Sequence, residues 1–370
     1  MRSATTDVCV VGGGPAGLAA AIALRLKGYS VALFDCAQPP IDKTCGEGLM
    51  PESLDALRAL GVQVPAAQGF PFHGVCFVAG KTRAAAEFPR GYALGLRRTV
   101  LHQLLVERAQ EIGVALHWGT KGVRVSREGL SVGHEILRPR LIVGADGQHS
   151  TLRHTAGLHR LRYEAQRYGF RRHYKIAPWS PYMELHWGET SQLYITPVAP
   201  CEVGVALLSR DPKLRLDRAL EQFPEVRARL SAARPTTAET GAVTALRALR
   251  RVSRRALALL GDASGSVDAI TGEGICLALR EALLLADAFH AGDLAQYERA
   301  HRALHRRPAA MSRLLLTLAR HGTLRDRVIA GFAKRPEVFA RFLALHTGQA
   351  SLFDLCNWSL LHFGFELLAS

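Results

Sequence analysis

The residues with the clearest chemical capacity form the run Gly12-Gly13-Gly14-Pro15-Ala16-Gly17 near the start of the chain. In a strand–turn–helix unit, Gly12 permits the tight turn and Gly14 lets backbone N–H groups approach a pyrophosphate. Gly17 lets the helix pack closely on the strand. A helix that begins at Pro15 adds free N–H groups and the positive end of its dipole. The spacing therefore predicts a site for dinucleotide phosphates.

The second predicted strand of this unit ends in a carboxylate. Asp35 directly follows the apolar run of residues 30–34, where an acidic side chain can accept hydrogen bonds from both hydroxyls of a ribose. A carboxylate here disfavours a ribose 2′-phosphate, so we expect FAD or NAD rather than NADP. A glycine-rich turn that binds no ligand is the alternative.

Two later signatures pair glycines with further carboxylates. The apolar run that ends in Gly144-Ala145-Asp146-Gly147 reads as a buried parallel strand, which delivers side chains to the ligand edge of an α/β sheet. Further on, Gly261-Asp262 precedes Thr271-Gly272-Glu273-Gly274-Ile275, which opens a helix whose N-terminal dipole can stabilise negative charge. Together, the three signatures trace the binding path of one extended dinucleotide, FAD.

Two side chains outside the signatures are further candidates. Cys45 lies in the loop Lys43-Thr44-Cys45-Gly46-Glu47-Gly48, whose glycines predict backbone laid against a flat ligand such as a flavin ring. We therefore expect Cys45 and Gly46 to contact the cofactor, and we treat Cys45 as a catalytic candidate. An inert buried thiol is the alternative. Arg98 begins a predicted helix and is placed to meet the ribose or pyrophosphate, unless it is merely solvated there.

The secondary-structure elements that must position these residues change along the chain from a strand–helix–strand unit to mainly antiparallel strands. A strand–helix–strand unit opens it, and a β-hairpin is predicted across residues 70–88. Alternating segments then predict an antiparallel sheet; they cover residues 168–174, 182–186, 192–197 and 202–206. Strand alternation could turn His173, Tyr174 and Tyr194 into a pocket. We treat His173 and Tyr194 as catalytic candidates, although a histidine on a sheet is more often structural.

The predicted architecture is an α/β fold with a Rossmann-like FAD-binding domain interleaved with an antiparallel-sheet substrate domain, followed by C-terminal helices. Apolar repeats at helical spacing predict these helices over residues 297–320, 324–332 and 336–345. A further helix is predicted over residues 209–230, after which residues 241–250 return to the FAD-binding domain. The expected domains are a discontinuous FAD-binding domain (residues 1–75, 95–160 and 245–295), a substrate-binding sheet (76–94 and 161–244) and a helical cap (296–370).

Composition narrows the class of protein. With 370 residues, 48% hydrophobic and 21% charged, the chain suits a folded protein of two joined domains. Seven scattered cysteines favour reduced thiols, and we expect neither a disulfide framework nor a metal site. No leader is visible, and no apolar run reaches the roughly 18 residues that span a bilayer. We therefore expect a cytoplasmic protein.

The formal net charge of +15 raises the question of partners. Because no nucleic-acid recognition module accompanies the charge, we expect no nucleic-acid partner. A basic surface would attract a small anionic substrate, anionic lipid or an acidic carrier protein. The amphipathic segment 351–368, which contains Trp358, makes peripheral membrane contact an alternative for the C-terminal helices. The pattern predicts no oligomeric state.

The three signatures together resemble those of the flavoprotein superfamily that contains para-hydroxybenzoate hydroxylase, the flavin-dependent halogenases and the geranylgeranyl reductases. Residues 12–17 with Asp35 match its first fingerprint, and residues 144–147 with Ser150 and Arg153 match its central Asp-Gly motif. Residues 259–263 match its third motif.

This resemblance implies roles for several residues. Asp262 would bind the ribityl chain of FAD, and the backbone of residues 271–275 would lie at the pyrimidine edge of the isoalloxazine. The antiparallel sheet would form the pocket wall that faces the flavin.

Motifs that distinguish the subfamilies of this superfamily give a mixed result for this chain. The Cys45 loop and residues 271–275 look most like geranylgeranyl reductases, but the strand 192–197 lacks the tryptophan and phenylalanine of their Tyr-x-Trp-x-Phe-Pro strand. The Trp-x-Trp-x-Ile-Pro pattern of halogenases does not occur, so we do not expect halogenation.

We expect an NAD(P)H-dependent monooxygenase that hydroxylates or epoxidises a small aromatic, polyketide or isoprenoid-like substrate through a flavin hydroperoxide. The alternative is a reductase of prenyl or alkene double bonds, in which Cys45 or a tyrosine would supply the proton. A flavin-binding protein without turnover is the third possibility. Either enzyme would use FAD, with NADH or NADPH as transient reductant.

Overall fold

A computed structural model describes residues 6–126 and 128–350 of the chain. The predictions about residues 351–370, including the amphipathic segment with Trp358, lie outside the described residues.

The strands are, in chain order, β1 (Val8–Val11), β2 (Val31–Phe34), β3 (Gly48–Leu49), β4 (Phe70–Phe72), β5 (Gly74–Ala79), β6 (Thr82–Glu87), β7 (Ala93–Gly95), β8 (Ala115–His117), β9 (Arg124–Val125), β10 (Leu130–Val132), β11 (Glu135–Leu137), β12 (Leu141–Gly144), β13 (Leu161–Lys175), β14 (Met183–Trp187), β15 (Ser191–Ala199), β16 (Glu202–Ser209), β17 (Arg234–Pro235), β18 (Thr240–Leu249), β19 (Ser253–Arg254), β20 (Leu257–Leu259) and β21 (Gly265–Ser266).

The α-helices are α1 (Pro15–Leu26), α2 (Pro51–Ala59), α3 (Arg98–Glu111), α4 (Thr151–Thr155), α5 (Leu216–Ala219), α6 (Pro224–Leu230), α7 (Gly274–His290), α8 (Leu294–Arg320), α9 (Gly322–Lys334) and α10 (Pro336–Thr347).

The first sheet has the strand order β8-β2-β1-β12-β20-β19, and all its neighbours pair in parallel except β19 with β20. Strands β1, β2 and β12 are short apolar runs that are buried along their whole length, as expected for parallel strands covered on both faces. Because β2 and β12 lie on opposite sides of β1, the turns after β1 and β12 meet at the switch point of the sheet, where open α/β folds bind ligands.

The second large sheet has the order β21-β18-β13-β16-β15-β14-β5-β6, with β17 added beside β13. Its strands include all four predicted alternating segments and, as the hairpin β5–β6, residues 74–87 of the predicted hairpin, so the mixed α/β architecture is confirmed. Residues 70–72 of the predicted hairpin form β4, which pairs with β7 in a separate three-stranded sheet. One face of the sheet, with Tyr194 and Leu208, packs in the same core as α8–α10. The other face, with Leu193 and Leu207, packs in a core with α5 and α6.

Two predicted segments differ from the structure. Ser209 is the last residue of β16, and its Oγ accepts a hydrogen bond from the Asp211 N–H in the turn of residues 210–215. The helix therefore begins only at Leu216, and Pro224 starts a second one. Strand β18 pairs with β13 from Thr240 to Leu249, with one register shift in β13 between Leu161 and Tyr163. The boundary predicted at residue 245 therefore falls inside a strand of the second sheet.

The C-terminal helices predicted from apolar spacing are confirmed as α8, α9 and α10. They cover one face of the second sheet, and Phe332 of α9 stacks on Phe339 of α10 with ring centroids 4.7 Å apart. No helix within residues 6–350 that the structure describes is both long and apolar enough to cross a membrane.

Candidate functional site

A cavity of about 1280 Å³ lies between the switch point of the first sheet and the second sheet. It exceeds the roughly 300–1,000 Å³ of a pocket for one drug-sized ligand, so it has room for a dinucleotide and a second molecule. Most of the predicted cofactor residues line it: Gly12, Gly14, Pro15, Ala16, Asp35, Cys45, Gly46, Arg98, Asp146, Gly147, Gly261, Asp262, Gly272, Gly274 and Ile275. Gly17 and Glu273 do not line it, although both are adjacent in sequence to residues that do.

The first-signature glycines have steric reasons for their identity. Gly12 has φ +111°, and a Cβ on it would overlap the carbonyl of Ala145 in the neighbouring turn. A Cβ on Gly17 would overlap the carbonyl oxygen of Gly12. Gly17 therefore acts through the close packing of α1 on β1, which explains why it lies outside the cavity.

The N-terminus of α1 and the side chain of Arg98 together form a cradle for an anion. Gly14 is the N-cap of α1 and offers no side chain to its free N–H groups. Nη2 of Arg98 lies 3.8 Å from the position that a Cβ on Gly14 would take, and among the described residues the buried Nε of Arg98 has no hydrogen-bond partner. An unpaired buried donor beside a helix N-terminus fits the pyrophosphate of FAD.

Asp35 and Asp146 are two carboxylates that line the cavity together with this anion site. The Asp35 carboxylate accepts the N–H groups of Gly13 at 2.5 Å and Ala37 at 2.7 Å, which fixes it at the carboxyl end of β2 as a ribose site requires. Oδ2 of Asp146 accepts the N–H of Thr151 at 2.7 Å, at the start of α4, whereas its buried Oδ1 has no hydrogen-bond partner within the part of the chain that the structure describes. The free oxygen is the atom of Asp146 that would be left for the cofactor.

An ion pair that sequence reasoning missed connects two parts of the site. Lys43 Nζ lies 2.6 Å from Oδ2 of Asp262, so the Cys45 loop is tied directly to the third signature. Both side chains are partly exposed and line the cavity. The lysine at the start of the Cys45 loop was the available signal in the sequence, but its partner lies 219 residues away. The binding of the ribityl chain by Asp262 stays a prediction.

The Cys45 loop is held against the second sheet by the buried carboxylate of Glu47. Oε1 of Glu47 accepts the N–H of Arg98 at 2.8 Å and Nη1 of Arg171 at 2.9 Å, and its Oε2 lies 2.5 Å from His173 Nε2. Thr196 donates its hydroxyl to the carbonyl of Gly46 at 2.7 Å. These contacts fix the position of the Cys45 thiol on the cavity wall. Burial raises the pKa of that thiol, so it keeps its proton at neutral pH.

The three catalytic candidates occupy different positions. Cys45 and Tyr194 line the cavity, whereas His173 is fully buried outside it, between Glu47 and Thr237. Tyr194 donates its hydroxyl to the carbonyl of Ile270, just before Thr271, and burial raises its pKa. Tyr174 lies on the opposite face of the sheet, in the core with α5 and α6.

The part of the cavity wall that belongs to the second sheet is uncharged. It consists of Tyr168, Gly169, Phe170, Met183, Tyr194, Ala206, Leu207, Leu208 and residues 241–245. At its edge, the Arg215 guanidinium lies 4.3 Å from the centre of the Phe170 ring, and its Nε lies 3.6 Å from Glu239. The arrangement gives a largely apolar chamber with the half-exposed Arg215 and its partner Glu239 at the rim.

Glu273, in the third signature, and His346, in α10, are both buried, and Oε2 of Glu273 lies 3.7 Å from Nδ1 of His346. Burial raises the pKa of Glu273 to about 8, although Arg307 and Arg280 oppose the rise. Burial lowers the pKa of His346 to about 4, so its neutral imidazole donates Nε2–H to the carbonyl of Thr271 at 3.0 Å. Glu273 thus does not line the cavity, although its sequence neighbours Gly272 and Gly274 do. Cofactor contact by the Glu273 backbone stays a prediction.

Comparisons with known proteins agree with this geometry. A family model described as an FAD binding domain matches residues 5–292. The chain is 31% identical over 360 residues to a menaquinone reductase of Mycolicibacterium smegmatis, covering 85% of each protein. It is 26% identical over 337 residues to an FAD-dependent urate hydroxylase of Klebsiella oxytoca, covering 78% of this chain and 84% of that protein. A flavoprotein/dehydrogenase structure from Cytophaga hutchinsonii superposes with a TM-score of 0.77 at 19% identity over 93% of each chain, which shows a shared fold.

Proposed function

This chain belongs to the FAD-binding domain family, whose model spans most of it, and we propose that it is an FAD-dependent monooxygenase acting on a flat, largely apolar substrate. The family supports the broader assignment of an FAD-dependent oxidoreductase. The finer proposal rests on one observation: the cavity continues beyond the three signatures into an uncharged chamber formed by the second sheet.

The proposed reaction balances as substrate, dioxygen, NAD(P)H and a proton giving hydroxylated substrate, water and NAD(P)⁺. FAD, when bound, would carry the two electrons from NAD(P)H to dioxygen. The protein would contribute position, exclusion of water and charge stabilisation rather than a nucleophile. An apolar chamber suits that task because it excludes water and holds a flat substrate by dispersion and burial.

Residues of this chain have separate parts in the proposal. Arg98 and the α1 N-terminus would hold the pyrophosphate, and the N-terminus of α7 at Gly274 would stabilise negative charge on the reduced cofactor. Tyr194 would position the 269–271 turn through its bond to Ile270, and it also forms part of the substrate wall. Arg215 at the rim would favour a substrate with an anionic group at one end.

A reductase of a quinone or prenyl-type double bond is the second candidate. The match to a menaquinone reductase covers 85% of this chain, so it includes the substrate sheet as well as the FAD-binding part. In that reaction one carbon would accept a hydride and the other a proton. The Cys45 thiol supports this alternative because it lines the cavity and its raised pKa keeps it protonated.

One experiment separates the two reactions. FAD-loaded protein is incubated with NADH or NADPH, a panel of phenols, polyketides and prenylated quinones, and ¹⁸O₂. A product that gains one ¹⁸O atom supports the monooxygenase. The same incubation is repeated without oxygen. A product that gains two hydrogen atoms there overturns the monooxygenase in favour of the reductase.

Variants at cysteine provide an independent arm of that experiment. If the chain is a monooxygenase, Cys45→Ala should retain oxygen incorporation within about tenfold. If it is a reductase, the same variant should lose on the order of 10²-fold or more in rate because a general acid is removed. Cys201→Ala, at an exposed position outside the cavity, is the matched control.

A further inference from the structure

Three side chains outside the cavity converge on one point between α7 and α8. We propose that Glu281, His301 and His305 bind a divalent transition-metal ion of the zinc type, as a structural site. Glu281 lies on α7, and the two histidines lie one turn apart on α8. One ligand atom from each residue lies within 4.8 Å of the others, and both Glu281 and His301 are buried.

The geometry is that of ligands aimed at a common centre. Nε2 of both imidazoles lies near the same carboxylate oxygen, Oε1 of Glu281, at 2.5 Å from His305 and 3.4 Å from His301, and Nε2 of His301 also lies 2.9 Å from Ser264 Oγ. Their rings stack with centroids 4.3 Å apart. Zinc bonds of about 2.0–2.2 Å place tetrahedral ligand atoms about 3.3 Å from each other. Nε2 of His301 already has about that separation from Oε1, and Nε2 of His305 needs to move away from Oε1 by about 1 Å. Nε2 of His301 would exchange its contact with Ser264 Oγ for the metal.

The other oxygen of Glu281 is already engaged, which orients the carboxylate. Oε2 accepts the N–H of Gly261 at 2.6 Å and lies 3.4 Å from Ser264 Oγ. Hydrogen bonds of this kind to the non-ligating atom typically orient metal ligands. Oε1 therefore faces the two histidines as a single oxygen ligand.

The donor set identifies the class of ion. Two imidazole nitrogens and one carboxylate oxygen suit borderline divalent ions such as Zn²⁺. None of the three residues lines the FAD cavity, which is why the site is assigned a structural rather than a catalytic role.

A metal here would join the C-terminal helices to the FAD-binding part. It would fasten α8 to α7 and, through Glu281, to the Gly261 N–H next to Asp262 of the third signature. The expectation of no metal site overlooked the spacing His301-x-x-x-His305, which puts two histidines on one face of a helix. The carboxylate that completes the set is supplied by packing.

The test measures zinc binding by the FAD-loaded protein. After treatment with a chelator and dialysis, ZnCl₂ is titrated in competition with a chromophoric chelator, and bound metal is counted by mass spectrometry. We expect one zinc per chain in the wild type. His305→Gln keeps an amide that can donate to Glu281 but removes a ligand, so its zinc affinity should fall at least about tenfold. His321→Gln, which changes an exposed histidine just after α8, should bind like the wild type.

Two outcomes would overturn the site. One is a wild-type protein that takes up no zinc saturably, a result that does not depend on any variant folding. The other is equal zinc affinity in the wild type, His305→Gln and the second ligand variant, His301→Gln. Zinc-edge absorption spectroscopy provides a direct check, because the proposal requires two imidazoles in the coordination shell. A zinc-dependent rise in Tm that is absent from His305→Gln would support the structural role.

Discussion

The imidazole of His173 lies 2.5 Å from the carboxylate of Glu47, although the two residues are 126 positions apart in the chain. Glu47 has the left-handed φ of +59°, unusual for a residue with a side chain, and its second oxygen binds Arg98 N and Arg171 Nη1. His173 therefore reaches the cavity only through Glu47, as a residue that positions the Cys45 loop. Through these contacts, the second sheet determines the position of the Cys45 loop on the cavity wall.

Removal of the Glu47 carboxylate should strongly destabilise the protein. Glu47→Ala leaves His173 without its carboxylate partner and Arg171 with Asp42 as its remaining ion-pair partner, both at buried positions. Loss of one side of a buried ion pair typically costs about 3–5 kcal/mol in the free energy of unfolding. Urea unfolding measures this cost. Glu189→Ala, at an exposed position, should stay within about 0.5 kcal/mol of the wild type, and equal losses in both variants would refute the network's role.

Arg98 should contribute directly to FAD affinity. Its guanidinium lies beside the α1 N-terminus with an unpartnered Nε, so it has a free donor for a phosphate oxygen. A hydrogen bond to a charged group is worth about 1.5–3 kcal/mol, so Arg98→Ala should weaken FAD binding by roughly 10- to 150-fold. Flavin fluorescence during titration of FAD-free protein gives the Kd. Exposed Arg90→Ala is the control, and an unchanged Kd for Arg98→Ala would exclude the contact.

Gly17 should tolerate no side chain. Gly17→Ala places a methyl group on the carbonyl of Gly12 in a packed interior, and we expect a loss of about 3 kcal/mol or more in the free energy of unfolding. Gly46→Ala is the matched comparison, because a Cβ there meets no atom within 4 Å and its φ is not left-handed. Thermal unfolding compares the two. Similar Tm values for both variants would contradict the steric argument.

Glu273 should make stability fall as pH rises. Burial raises its pKa from 4.5 to about 8, so the folded protein holds this proton more tightly than the unfolded chain. Its stabilising contribution is complete below about pH 4.5 and is lost as the pH rises through 8. Glu273→Gln resembles the neutral acid and should avoid that loss. Between about pH 5 and pH 9 its stability relative to the wild type should increase by a few kcal/mol, since one pKa unit corresponds to about 1.4 kcal/mol.

Unfolding curves at several pH values test this sign. Glu189→Gln is the control, because an exposed carboxyl should follow the wild-type profile. Parallel profiles for Glu273→Gln and the wild type would show that Glu273 is ionised in the folded protein at neutral pH.

The sequence alone was enough to predict the strands, helices and glycine turns of the FAD-binding part of the fold. Gly12 and Gly17 are required by contacts with atoms close by in the same strand–turn–helix unit or in the adjacent turn, and apolar runs such as Val8–Val11 identify the parallel strands. Such constraints are local, so residue type and spacing carry them directly. Helices α8, α9 and α10 were predicted for the same reason, from apolar residues at helical intervals.

Only the tertiary structure decided which polar groups meet. The pairing of Glu47 with His173 and of Lys43 with Asp262 depends on how the second sheet and the third signature pack against the Cys45 loop. The register of β13 turns His173 toward Glu47 and Tyr174 to the opposite face, and sequence alternation could not say which face was which. These contacts join residues more than a hundred positions apart, and their geometry is set by packing of the whole fold rather than by any local pattern.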